Sequence, residues 1–355
     1  MEEAGDDAWS VVLRRVSTGS SSSVELTVEE TKAFAMLSGW YKSRKRALGD
    51  GFSGVVRLAE HKATGARVAV KVVRKRSLEE YGLQMTELDV LRRVDHPFIA
   101  RLLYERELDD SFVLVSEFCP HGELFDLVMN APPSGLEHSL IQRIMGQLLQ
   151  AVEYLHAIGW CHRDLKLENV MIRGTRVKLI DFGFAARCET PLGNMCGSPE
   201  YSAPELFISE SYMGKPADIW SLGVMTYMLV TGFVPFGDPE ATCSGTWVWP
   251  EEVADLLPSP QTLAEFLDQI FVEDPTQRPS ASDLLNSPWL RDEQLIDVPP
   301  ATAIDEDILQ RMEQMGMPSQ DVRASVITRV RDELFAYYHM LLDQKQRQDE
   351  GDIML

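Results

Sequence analysis

The apolar positions of this chain change their period along its length, and the change divides it. From Trp40 to Val73 apolar residues alternate with polar ones and are broken by glycines, the pattern of an antiparallel hairpin sheet. From Leu78 to Val94 the period lengthens: Leu83, Leu88 and Leu91 recur at near-helical spacing, which predicts a helix. Phe112-Val113-Leu114-Val115 then predicts a short buried strand. After Gly122 the pattern is mainly helical, with helices predicted over 123–129, 139–158, 217–231 and 261–272. A small β-rich part therefore precedes a larger α-rich part, and no internal repeat connects them.

The ends read differently. Residues 1–38 are acidic and then serine-rich (Ser20-Ser21-Ser22-Ser23), which predicts a mostly disordered arm. Within it, Arg14-Arg15-Val16-Ser17 has the form of a phosphorylation site for basophilic enzymes, a short motif that also recurs by chance. Asp297-Val298-Pro299-Pro300 marks a linker over 291–303. Beyond it, Ile308, Leu309, Met312 and Met315 share a helical face, and Gly316 supplies a stop. A second helix follows Ser319 and a third carries Leu334, Tyr338, Leu341 and Leu342, so that 304–345 predicts a minimal helical bundle before a tail at 346–355. So small a bundle is expected to rest on a neighbour.

Composition narrows the function. Of 355 residues, 45% are hydrophobic and 25% charged, as in an ordinary globular protein with a full core. A formal charge of −21 disfavours nucleic-acid binding and favours basic peptide partners. Cys119, Cys161, Cys188, Cys196 and Cys243 lack paired spacing, which predicts reduced thiols. The start Met1-Glu2-Glu3 lacks a signal-peptide pattern, and no stretch approaches roughly 18 uninterrupted apolar residues. The expectation is a cytoplasmic protein, with the nucleus as the other compartment.

The chemistry is concentrated in short runs. Residues 162–169 read His-Arg-Asp-Leu-Lys-Leu-Glu-Asn, and Asp181-Phe182-Gly183 follows. Together they supply a carboxylate to orient a hydroxyl, a lysine near phosphates and two oxygen ligands for metal, as transfer of a phosphoryl group from ATP to an alcohol requires. Gly49-Asp50-Gly51-Phe52-Ser53-Gly54-Val55-Val56 is a glycine-rich turn that lets backbone approach phosphates. Alone it is a weak signal that reads more readily as a plain hairpin. A dinucleotide fold would need a helix directly after it, and strand-like Val55-Val56-Arg57-Leu58-Ala59 follows instead. Val68-Ala69-Val70-Lys71 on the next strand offers a phosphate-neutralising lysine, with Glu87 as its acidic partner.

In these runs the stretch 41–290 resembles a eukaryotic protein kinase, with its signatures present and in order. The resemblance implies a bilobal α+β fold, with ATP and Mg2+ as cofactors. It implies that Asp164 is the catalytic base, that Lys166 stabilises the transferring group, and that Asn169 and Asp181 hold magnesium. Leu48 and residues 49–56 would cover the nucleotide. Adenine would lie between Val56 and Ala69 above and Met171 below, bound by the Glu117 carbonyl and the Cys119 amide. Ser116 would be a small gatekeeper before that hinge. Glu205, in Ser202-Ala203-Pro204-Glu205, would pair with Arg278, and Asp218 would brace the catalytic loop.

Lys166 and Ser198 resemble serine/threonine kinases. Glu123 and Glu168 match positions that bind substrate arginines, which implies protein substrates with Arg or Lys upstream of the acceptor. Cys196-Gly197-Ser198-Pro199-Glu200-Tyr201 and Gly122-Glu123-Leu124-Phe125-Asp126 look most like the calcium/calmodulin and AMP-activated (SNF1-like) group. Ile308-Leu309-Gln310-Arg311-Met312-Glu313-Gln314-Met315-Gly316 resembles the ubiquitin-associated-like domain of SNF1-related kinases, which implies docking on the kinase or a regulatory subunit. Calmodulin binding is disfavoured, because residues 301–352 mix both signs of charge.

Two places depart from the pattern. Asn194 stands where relatives carry a phosphorylated threonine, so either the segment is ordered without phosphate or Thr190 substitutes. The region 237–249 is short where relatives place a substrate-docking helix. A pseudokinase acting as a scaffold is the rival class, but Lys71, Asp164, Asn169 and Asp181 are all retained.

Overall fold

The computed structural model describes residues 26–51, 54–75, 86–132, 135–193, 195–250, 260–291 and 303–350. Strands β1 (Tyr41–Gly51), β2 (Gly54–His61), β3 (Arg67–Arg74), β4 (Leu102–Glu107) and β5 (Ser111–Glu117) form a five-stranded sheet in the order β1-β2-β3-β5-β4. Its pairings are antiparallel, as the alternation from Trp40 to Val73 predicted. The period of two gives β3 two distinct faces. Val68, Val70 and Val72 enter one core cluster, and Val73 joins another with Leu88 on helix α2 (Thr86–Arg93). Most of the helix predicted from Leu78, including Leu83, lies outside the described residues.

The larger part is built on two long helices, α4 (His138–Ala157) and α6 (Gly214–Thr231), which follow the short α3 (Leu124–Met129). Each lies within three residues of its predicted span. Both contribute to the largest core cluster, with Trp220, Leu148 and Leu149 fully buried. Short strand pairs β6 (Trp160–Cys161) with β9 (Ala186–Arg187), and β7 (Val170–Arg173) with β8 (Arg176–Leu179), lie on this body. Helices α5 (Glu205–Ile208), α7 (Pro239–Ser244), α8 (Pro260–Ile270) and α9 (Ala281–Leu285) complete it. The region 237–249, read as short, holds the six-residue α7, capped by Asp238, with Trp247 and Trp249 against Tyr227 behind it.

The N-terminal arm needs correction. Residues 1–25 lie outside the described residues, but Val28–Leu37 is a helix, α1, rather than part of a disordered arm. Thr27 and Glu30 form a reciprocal capping box at its start. Ala33 and Leu37 are fully buried against the sheet. Glu30 also pairs with Arg57 of β2 at 2.6 Å, with the arginine side chain only 1% exposed. Apolar burial on one face and a satisfied buried ion pair order a segment whose composition alone favours disorder.

Three further helices follow residue 303: α10 (Glu306–Gln314), α11 (Ser319–Thr328) and α12 (Glu333–Glu350). They share a core of Ile308, Leu309, Met312, Val322, Val326, Tyr338 and Leu341. Helix α12 runs into the expected tail. It also has a second apolar edge, Ala336 and Met340, buried in the same cluster as α1 and the outer face of the sheet. Its Gln344 donates to the Thr64 carbonyl at 2.8 Å, and Arg173 pairs with Asp343. The linker at 292–302 lies outside the described residues.

Candidate active site

The catalytic-loop residues converge because the loop is pinned from beneath. The buried Asp218 carboxylate of α6 accepts the His162 and Arg163 amides at 2.8 Å each, and the His156 ring lies 2.8 Å away. The His162 ring is fully buried against Phe182 and bonds the Ile180 carbonyl. Arg163 adopts a left-handed backbone, φ 69°. Such a conformation is held only where surrounding contacts determine it.

Above that base, Asp164 and Lys166 pair at 2.8 Å. Ser198 bridges them, donating to Asp164 at 3.1 Å while Lys166 donates to it at 2.9 Å. Asn169 donates its amide to both the carbonyl and carboxylate of Asp164, at 2.8 and 3.0 Å. Gly197 makes this approach feasible: φ is 88°, and a Cβ would lie 2.5 Å from the Arg163 carbonyl oxygen. Asp181 is exposed, with φ 60°, and its carboxylate accepts the Gly183 amide at 3.1 Å.

On the opposite lobe, Lys71 and Glu87 pair at 2.6 Å with each side chain 18% exposed. Lys71 lies opposite Val56 in the sheet, and Ala69 lies opposite Ser116. Leu48, Gly49, Asp50 and Gly51 end β1, while Gly54 and Val55 open β2, with Gly51 paired to Gly54 across the turn. Phe52 and Ser53 lie outside the described residues. Met171, on β7, bridges to Glu123, which begins α3.

Glu123 has its carboxyl pushed up, by burial first and then by Asp126 and Glu168, with Lys166 opposing. Glu168 accepts the Tyr201 hydroxyl at 3.2 Å. The two glutamates thus form an acidic patch beside the loop. Glu205 and Arg278 pair through two bonds of 2.7 Å, as expected of them. Arg163 donates to the Tyr212 hydroxyl at 2.8 Å. Tyr212 and Leu192 exchange backbone bonds of 2.8 and 2.9 Å, which ties the segment down. Asn194 itself lies outside the described residues.

Sequence reasoning missed the side chain of Glu117. Its carboxylate is buried against Lys178 at 2.6 Å, Arg101 at 3.2 Å and Arg173 at 3.4 Å. Burial opposes its ionisation, but Lys178, Arg173 and Arg101 prevail and lower its pKa to about 2. Burial pushes the neighbouring Cys119 thiol up to about 11. The acidic identity of Glu117 was the available signal. Its three partners come from separate strands and loops, so no local spacing announced them.

A family model for the protein kinase domain matches residues 42–290. The chain belongs to that family. Among curated kinases, serine/threonine protein kinase OSK4 of Oryza sativa subsp. japonica is 32% identical over 326 residues, covering 86% of this chain and 62% of its own. Maternal embryonic leucine zipper kinase of Danio rerio is 32% identical over 315 residues, covering 84% of this chain and 46% of its own. Putative sperm motility kinase W of Mus musculus is 33% identical over 313 residues, covering 86% and 60%. The chain thus spans about half to three-fifths of the length of these relatives. No helix among the described residues is long and apolar enough to cross a membrane.

Proposed function

We propose that this kinase-family chain is an ATP-dependent serine/threonine protein kinase whose catalytic geometry forms without an activation-segment phosphate. The arrangement of Asp164, Lys166, Ser198 and Asn169 over the Asp218 anchor carries the reading. Bound ATP would supply the γ-phosphoryl group, and Mg2+ held by Asn169 and Asp181 would offset its charge. Asp164 orients the acceptor hydroxyl and takes its proton as the oxygen–phosphorus bond forms and the bond to the departing ADP breaks. Lys166 and Lys71 offset the phosphate charge, with Lys71 held by Glu87. The backbone carbonyl of Glu117 and amide of Cys119 would bind adenine, with Val56, Ala69 and Met171 around it.

The metal donors fit. Asn169 and Asp181 offer hard oxygens, and no cluster of three or more His, Cys, Asp or Glu residues suited to a metal occurs among the described residues. That suits Mg2+, which keeps water and phosphate oxygens in its shell rather than a full protein cage.

Several observations support the finer reading. Glu123 beside Glu168, on a chain of charge −21, favours protein substrates with Arg or Lys upstream. Arg163 on the Tyr212 phenol favours an activation segment ordered without phosphate. The calcium/calmodulin and AMP-activated group rests on the motifs at 122–126 and 196–201. The C-terminal helices read as a ubiquitin-associated-like bundle docked on the kinase, supported by Arg173 with Asp343 and by Met340 in the sheet's outer core. Localisation is proposed as cytoplasmic.

Transfer of labelled phosphate from ATP to an Arg-containing serine peptide, compared between the chain and Asp164→Asn, tests the activity. A loss of about 10²–10⁴-fold in the variant is expected of a lost general base. Equal signal from both would instead leave a scaffold.

A further inference from the structure

Arg329 and Arg331 lie in the turn between α11 and α12, far in sequence from every catalytic motif. Their guanidinium groups meet the end of the helix that carries Glu87. Arg329 Nη1 donates to the Arg93 carbonyl at 2.9 Å. Arg331 Nη2 donates to the carbonyls of Arg92 at 3.3 Å and Val94 at 3.1 Å. We infer that Arg329 and Arg331 are positioning residues for phosphoryl transfer, holding α2 so that Glu87 stays on Lys71. The inference rests on the proposed docking of the C-terminal helices and assigns that docking a direction: it supports the catalytic arrangement.

The physical case begins with α2 itself. A helix leaves its last carbonyls without intrahelical donors, and a cation there also answers the helix dipole. In α2, with its described span of eight residues, the terminal turn lies close to the turn bearing Glu87. The large lobe offers that end Tyr154, whose hydroxyl donates to the Arg93 carbonyl at a long 3.4 Å and accepts the Asp95 amide at 3.1 Å. The two arginines supply the shorter bonds to α2. A backbone bond of 3.0 Å from the Glu105 amide to the Arg331 carbonyl fixes the turn against β4.

Both arginines occupy positions that stability alone does not favour. Arg329 has φ 54°, a left-handed backbone that a glycine would adopt more easily. Arg331 is only 4% exposed, and its Nε and Nη1 find no hydrogen-bond partner among the described residues, although the group stacks over Phe335 at 4.2 Å. Burying a guanidinium with unpaired nitrogens is unfavourable. Around them lies a groove of about 550 Å³ whose lining includes Arg92, Arg93, Arg329 and Arg331 against Glu105. Glu105 is already taken by Arg92, at 2.9 Å to each oxygen. Arg92 and Arg93 belong to α2 itself, so the reach onto its end from the C-terminal turn is made by Arg329 and Arg331.

The test compares the full chain with Arg331→Met, Arg329→Gly and the double variant, following amide hydrogen exchange and steady-state kinetics. Methionine keeps an apolar side chain of similar length, and glycine suits the left-handed turn, so folding is expected to survive. The double variant should exchange the amides of 86–94 about tenfold faster and lose kcat by about tenfold, with peptide KM unchanged. Arg323→Ala, which removes only the exposed pair with Glu306, should change neither. Protection of the Glu105 amide in the unmutated chain reports docking separately. If that amide is protected but α2 exchange and kcat are unmoved in the double variant, the arginine grip is wrong while docking stands. If that amide is unprotected, docking and the grip fail together. A uniform rise in exchange across α2, α4 and α6 would make the arginines merely structural and overturn the inference as well.

Discussion

The two faces of the five-stranded sheet are made of the same alternating strands yet obey different rules. Lys71 and Glu87, beneath the sheet, are partly open to solvent, and what matters is where their charges lie. The outer face buries Val68, Val70 and Val72 under α1 and α12, with an almost fully enclosed Arg57–Glu30 pair at its margin. The cleft side thus carries an ion pair that solvent still reaches, while the outer face encloses its pair within the chain. Change on the cleft side should alter reaction rate with little effect on stability, and change on the outer side should do the reverse.

Arg57→Ala should break that contrast most severely. Removing one partner of a buried pair leaves the other charge uncompensated, a cost of about 3–5 kcal/mol. Denaturant unfolding should show it, while Lys71→Ala should leave the midpoint nearly unchanged and abolish transfer. If the two variants destabilised equally, the distinction between the faces would fail.

Acid should act next, through the hinge's rear. The pKa of Glu117 is lowered in the folded chain from the ordinary 4.5 to about 2. The folded state therefore binds this proton less readily than the unfolded one. Its contribution is fully present above pH 4.5 and is lost as the pH falls through about 2. Glu117→Gln should flatten this part of the stability profile; an unchanged acid limb would show that the cluster with Lys178, Arg173 and Arg101 does not set it.

Smaller effects should follow at the margins. Ser116, half-buried on β5 opposite Ala69, has a small side chain, so Ser116→Met should weaken bulky ATP-site inhibitors by about tenfold through overpacking. Unchanged inhibitor affinity would refute this role for the small side chain. Thr27→Ala removes the α1 cap and should lower stability by about 1 kcal/mol, with the rate unaffected.

The contrast also explains what was readable in advance. Asp164, Lys166 and Asn169 sit in one loop, so their spacing exposed them directly. Of the long helices, α4 was readable because it buries one broad apolar face, and α6 because its long apolar run is buried on nearly every side. Helix α1 was obscured by the acidic, serine-rich composition before it, although Thr27 and Glu30 carried the capping-box spacing. The role of Glu30 toward Arg57 depends on a pairing made only once the sheet exists. Arg329 and Arg331 were invisible for the same reason, since their partners are backbone carbonyls on a helix more than two hundred residues earlier.

The central claim is a working catalytic site built without phosphate on the activation segment. It is tested most directly by kcat of the full chain purified from bacteria, measured before and after phosphatase treatment with removal of phosphate verified by mass. The account predicts the same kcat in both samples. Collapse after phosphatase would contradict it and return control to a phosphorylated residue such as Thr190.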